Sequence, residues 1–300
     1  MTDAGMTVPP PVDDADVPRF VGELGLPGLA DVHVHFMPER VQAAVWAYFD
    51  QAGTHYGAEW PITYRGSVEE RLARLDHLGV RAFSALNYPH RPGMAAGLND
   101  WSREFAHQHP QVIPSATFFP EPEAAHYVPE ALDGGARVFK VHVQVGSFDP
   151  RDRLLEPVWA RLEETGTPVV IHCGSGPLAG EHTGPAPMQG LLQRHPGLQL
   201  AIAHLGMPEY AEFLTLAETY DGVRLDTTMF ATDFTERLMP FPRDLLPRLA
   251  ALGGKVLLGS DFPSIPYPYA HQLAALHRLG LGEEWLRAVL WRNASALFGL

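Results

Sequence analysis

From Gly28 onward the chain alternates short apolar runs with longer amphipathic stretches. The apolar runs lie at 28–36, 80–88, 112–120, 136–144, 167–174, 198–206, 222–229 and 255–263. They are rich in Val, Ile, Leu, Phe and Ala and bounded by Gly, Pro or polar residues, as buried strands are. Between them, apolar residues recur at helical spacing over 67–79, 94–109, 123–133, 153–165, 186–195, 208–220 and 243–252. Two further helices are predicted near 269–279 and 283–297. The helix over 67–79 opens on Ser67-x-x-Glu70, a capping box that satisfies orphan backbone N–H groups, and closes on Gly79.

Strict alternation of strand and helix predicts one parallel sheet, and eight such units close a (β/α)8 TIM barrel. A doubly wound open sheet is the alternative, but no Gly-x-Gly-x-x-Gly turn follows the first strand. A single α/β domain is expected over 23–300, after a flexible lead-in over 1–22 that is rich in Pro and Asp. The stretch 37–65 far exceeds an ordinary βα loop of roughly 2–6 residues. It predicts a lid-like insertion after strand one.

Composition narrows the class. Hydrophobic residues make up 46% of the 300, enough for a sizeable core. A net charge of −13 argues against nucleic acid or an anionic membrane as partner. The single cysteine, Cys173, allows no intramolecular disulfide and fits a reducing compartment. No apolar run reaches the roughly 18 residues of a membrane helix, and the N-terminal stretch lacks the basic and apolar regions of a secretory signal. A cytoplasmic protein acting on a small molecule is expected.

The polar residues inside the strands carry the chemistry. DVHVHF (31–36) sets Asp31, His33 and His35 on one strand face. Lys140 and His142 end the fourth predicted strand, His172 the fifth, His204 the sixth and Asp261 the eighth; Asp226 lies in the seventh. Lys140, His172 and His204 recur at equal intervals of 32 residues, about one βα unit. They therefore fall on one rim of the predicted barrel, the rim where barrel enzymes carry their active sites. A histidine in an apolar strand is ordinarily a hydrogen-bonded core residue, and among 15 histidines a His-x-His pair is weak alone. Four histidines and an aspartate ending strands of one barrel form the pattern of a metal site. His77, His107, His109, His195, His271 and His277 fall in helices or at their ends and are expected at the solvated surface. Only two of the 22 basic residues are lysines: Lys140, and Lys255 at the opposite rim, which reads as structural.

DVHVHF, FKVHV, VVIHCG, AIAHLG and LLGSDFP, in this order from about residue 28 to the end, resemble the amidohydrolase superfamily. The likeness is nearest to the branch that includes aminocarboxymuconate-semialdehyde decarboxylase, the resorcylate decarboxylases and pyrone-dicarboxylate lactonase. The resemblance implies that His33, His35, His172 and Asp261 bind metal, that Asp261 also handles a proton, and that His204 activates substrate and water or binds a second metal. Zn²⁺ is the expected ion, since imidazole and carboxylate ligands suit it. Asp31 is expected as support rather than ligand. One ion is favoured. In binuclear members a strand-four lysine becomes carboxylated and bridges two metals, so two ions would follow if Lys140 were so modified. The branch also implies a homodimer.

The expected reaction is hydrolysis of a small cyclic amide, lactone or ester by a metal-activated water. Nonoxidative decarboxylation of an aromatic or unsaturated acid is the alternative. Resorcylate-type decarboxylases tend to carry Glu after the glycine that follows the strand-six histidine. Here the stretch reads His204-Leu205-Gly206-Met207-Pro208-Glu209, which favours the hydrolase. Arg91 is the candidate clamp for a substrate carboxylate; Trp46, Tyr88 and Phe119 are candidate pocket walls. Cys173 has the strand parity opposite to His172 and reads as a small buried residue.

Overall fold

The computed structural model describes residues 6–300. Its strands are β1 (Leu29–Asp31), β2 (Val80–Ser84), β3 (Val112–Ile113), β4 (Ser115–Thr117), β5 (Val138–His142), β6 (Val169–His172), β7 (Leu200–Ile202), β8 (Val223–Asp226) and β9 (Val256–Leu257). Helices separate them in the predicted order, except that β3 and β4 are the two halves of one predicted strand. Pro114 divides that run, because proline has no N–H to give to a ladder. The Ser67–Glu70 capping box forms as expected and opens helix Val68–His77. No helix among the described residues is long and apolar enough to cross a membrane.

The chain groups into two compact units. The first comprises Met1–His35, Glu39–Phe83 and Thr227–Leu300. In it β1 runs parallel to β2, with Asp31 opposite Phe83. Beyond β1 the backbone stays extended without continuous pairing. The Val32 N–H donates to the Leu258 carbonyl (2.8 Å), the His35 N–H to the Phe262 carbonyl (2.8 Å), and Val34 bridges Phe262. The two-residue side-chain period therefore continues through His33 and His35, although the strand itself ends at Asp31.

The second unit comprises Phe36–Pro38 and Ser84–Asp226. Here β4, β5, β6, β7 and β8 pair in parallel, with Lys140 opposite Val170, His142 opposite His172 and Ile202 opposite Leu225. The core behind the sheet is aromatic. Trp159 is fully buried, meets Phe118 edge-on at 5.0 Å, and donates its indole N–H to the Pro150 carbonyl (2.8 Å).

Two expectations change. The lead-in predicted as flexible over 1–22 is ordered in its described part from Asp14. It forms helix Val17–Glu23, which buries Val17, Phe20 and Val21. The prolines and aspartates dominate its composition, but three apolar residues on one helical face suffice to dock it; residues 1–5 lie outside the description. The long insertion after β1 contains helices Glu39–Phe49 and Ala52–Tyr56. Its aromatic residues pack within the first unit. Trp60 meets Phe49 (5.1 Å) and Phe234 (4.8 Å) and donates to the Ser264 carbonyl (2.6 Å). His195, expected at the surface, is buried, its ring held between Glu163 (3.0 Å) and Glu156 (3.1 Å).

Candidate metal centre

In the first unit, three side chains meet. One ligand atom from each of His33, His35 and Asp261 lies within 4.8 Å of the others, the one such trio of His, Cys, Asp or Glu among the described residues. His35 Nε2 is 2.9 Å from Asp261 Oδ1, and His33 Nε2 is 3.5 Å from the same oxygen. The imidazole rings stand edge to face, 5.1 Å apart. Both histidines are buried, and the Asp261 side chain keeps 17% exposure. Two imidazoles and a carboxylate converging from a buried face fit a divalent cation of borderline softness. The trio is the part of the predicted ligand set that the structure brings together.

The backbone explains the convergence. His33 and His35 are two apart on the extended segment after β1. Asp261 follows β9 and is tied to that segment by its own N–H, which donates to the His33 carbonyl (2.9 Å). Asp261 has φ +72°, a left-handed conformation rare for a residue with a Cβ. Such positions persist where surrounding bonds over-determine them, and they gather at functional sites. Asp31, expected as support, is fully buried and does support: Oδ1 accepts from the His33 N–H (3.1 Å) and the Ser260 N–H (3.2 Å), and Oδ2 from the Tyr269 hydroxyl (2.8 Å). Burial, reinforced by the Asp31 charge, pushes the Tyr269 hydroxyl well above the ordinary tyrosine range, so it stays a donor. Tyr267 is raised likewise, by burial and then by the charge of Asp261.

The second unit holds a row of three imidazoles. His142 and His172 stack at 3.9 Å, and His172 meets His204 edge-on at 4.7 Å. His172 Nε2 lies 3.0 Å from the Gly176 carbonyl, which can only accept, so a hydrogen bond there has the imidazole as donor. The β5–β6 register, which sets His142 opposite His172, brings the first two rings together; Lys140, spaced from His172 by about one βα unit in the sequence, instead lies opposite Val170. His204 stands on a tight turn with φ +55°, followed by Leu205 (+51°) and Gly206 (+74°). Its N–H donates to Asp226 Oδ1 (3.0 Å), so the buried β8 carboxylate pins the turn that carries the imidazole.

The other candidates fall as follows. Lys140 is 1% exposed, in the middle of β5. Its charge draws the Cys173 thiol down against the larger effect of burial, which leaves that thiol raised far above its ordinary range. Cys173 is accordingly an inert buried residue. Tyr88 is half-buried with its ring 5.2 Å from His142, Phe119 is buried against Phe148 (5.9 Å), and Arg91 is exposed. Trp46 lies beneath two guanidinium groups, of Arg71 (5.4 Å) and Arg65 (5.7 Å), so its ring belongs to the packing of the insertion. Burial lowers the Arg71 guanidinium to about 10, with Glu69 opposing. Tyr269 and Ser260 escaped the sequence reading: nothing local marks a tyrosine 238 residues from the aspartate it binds.

The amidohydrolase family matches residues 30–300. Among curated proteins none matches the chain. Among solved structures, an uncharacterized TIM-barrel protein from Bordetella bronchiseptica superposes with a TM-score of 0.70 at 19% identity, covering 90% of this chain and 99% of that one. A 5-carboxyvanillate decarboxylase from Novosphingobium aromaticivorans, in complex with manganese and 4-hydroxy-3-methoxy-5-nitrobenzoic acid, gives 0.63 at 16%, covering 93% and 97%. A candidate 2-pyrone-4,6-dicarboxylic acid hydrolase from Pseudomonas putida gives 0.60 at 18%, covering 91% and 98%. With parallel strands and helices in the matching alternation, the chain is a (β/α)8 TIM-barrel enzyme that belongs to the amidohydrolase family.

Proposed function

We propose that the protein is a metal-dependent hydrolase of a small cyclic amide, lactone or ester, with one Zn²⁺ held by His33, His35 and Asp261. The observation that carries this reading is the grouping of those ligand atoms within 4.8 Å. The ion, when bound, supplies a Lewis acid and lowers the pKa of water. The chain's own residues do the rest. Asp261, the most exposed of the trio, is assigned the role of taking a proton at its carboxylate and returning it to the leaving group. His204, fixed through its backbone by Asp226, is assigned the polarisation of the substrate carbonyl. The His142–His172 stack holds the neighbouring imidazoles in one orientation. Lys140 is read as an electrostatic support rather than a bridge, which gives one ion per chain.

Hydrolysis is favoured by the His204–Glu209 stretch. Met207, not Glu, follows Gly206, and the Glu209 carboxylate is engaged with the Ser175 N–H (3.1 Å). Decarboxylation is the second reading, supported by the likeness to the manganese-bound decarboxylase. The test is a panel of lactones, cyclic amides, esters and aromatic acids offered to the zinc-loaded protein in ¹⁸O-water. One labelled oxygen in the product without CO₂ is expected. CO₂ release without label makes the enzyme a carboxy-lyase.

A further inference from the structure

We propose that Tyr269 is a positioning residue of the metal centre, and that it conveys to the ligands the anchoring of the N-terminal segment. The inference rests on the reading that His33, His35 and Asp261 bind a divalent ion.

The argument starts at Asp31. A fully buried carboxylate is costly unless its oxygens are satisfied by good donors. Three of the donors to Asp31 stand out, and two of them are backbone groups of the metal site. One is the N–H of His33, a ligand, and the other the N–H of Ser260, the residue before the ligand Asp261. The strained φ of Asp261 therefore depends on a bond to Asp31 at its own shoulder. The remaining donor is the Tyr269 hydroxyl, 2.8 Å from Oδ2. Removing it would leave one oxygen of a buried charge without this donor, and the carboxylate could turn away from the two backbone groups it aligns.

Tyr269 is itself held from outside. It opens helix Tyr269–Arg278, and its N–H donates to the Tyr64 hydroxyl oxygen. That hydroxyl donates to Asp14 Oδ2 (2.6 Å), while Asp14 Oδ1 accepts from the Ala270 N–H (3.0 Å). Asp14 so satisfies an orphan donor in the first helical turn, and its charge suits the positive end of the helix. A continuous path of hydrogen bonds runs from Asp14 in the N-terminal segment, through Tyr64 and Tyr269, to Asp31 and the backbone of two metal ligands. All of these residues belong to the first unit.

The test uses the full-length apoprotein, titrated with Zn²⁺ against a chromophoric chelator. Tyr269→Phe keeps the ring and deletes the hydroxyl. Zinc affinity is expected to fall roughly 10- to 100-fold, the usual effect of losing a group that orients ligands. Asp14→Asn, a change far milder for folding, is expected to weaken zinc in the same direction by less. Tyr127→Phe is the control: it removes another buried hydroxyl, bonded to Glu121 (2.9 Å) in the second unit, and is expected to leave zinc affinity unchanged. Zinc affinity within twofold of wild type in both Tyr269→Phe and Asp14→Asn overturns the inference, as does an equal loss in Tyr127→Phe. If Tyr269→Phe does not fold, Asp14→Asn decides alone. Wild-type protein that binds no zinc removes the metal reading itself, a result distinct from the rest.

Discussion

At the scale of single residues, the candidate centre depends on Asp261 more than on either histidine. Its Oδ1 lies within 3.5 Å of Nε2 of both imidazoles, and it is the one ligand whose backbone is strained. His35→Ala removes one ligand and the 2.9 Å partner of the carboxylate. Metal content measured by atomic emission is expected to fall from one equivalent to near zero, with activity lost alongside. His204→Asn is expected to leave the metal content unchanged and to lower kcat by roughly 10²-fold or more, the scale for losing one polarising donor. Cys173 gives a test that needs no substitution. Burial holds its thiol protonated, so a thiol reagent at neutral pH is expected to label the unfolded chain and spare the native one.

At the scale of elements, the turn after β7 shows how a strand end becomes a site. Three successive left-handed residues stop the strand and set the His204 ring beside His172. Gly206 is required there twice over. Its φ is +74°, and a Cβ would lie 2.0 Å from the Phe213 ring. Gly206→Ala is expected to cost roughly 1–3 kcal/mol in chemical denaturation. The sequence shows why some elements are legible and others not. Helix Val68–His77 was readable because its cap, apolar stripe and closing glycine are local signals. Residues 33, 35, 172, 204 and 261 stand out in the sequence as polar positions at the ends of apolar runs, and of these the structure brings the ligand atoms of His33, His35 and Asp261 together. The true strand limits were not legible. β9 is only Val256–Leu257, since the backbone beyond it leaves the ladder to place Asp261, and alternation of apolar residues does not record that departure. Helix Glu39–Phe49 was hidden for another reason: only Gln42 of its residues is buried, so no apolar stripe announces it.

At the scale of the whole molecule, the N-terminal segment is the part that composition misjudged. It is fastened at points distant in sequence, among them Asp14 at the helix opening on Tyr269 and Thr7 and Val8 at Glu283. Bonds from the Thr7 hydroxyl, the Thr7 and Val8 N–H groups and Arg287 lower the Glu283 carboxyl from 4.5 to about 2. A carboxylate depressed on folding stabilises the native state fully above its unfolded pKa, and that contribution is lost as pH falls through the folded value. Thermal stability is thus expected to decline between about pH 4.5 and 2, and Glu283→Gln to flatten this part of the profile, as calorimetry across that range will show.

His35 and Asp261 are 226 residues apart in the chain yet joined within 2.9 Å. A ribosome adding roughly 5–20 residues per second needs on the order of 10–45 s to travel from one to the other. In that interval Ser84–Asp226, the larger part of the second unit, is made in one uninterrupted run. His33 and His35 are therefore made well before the carboxylate that completes their trio.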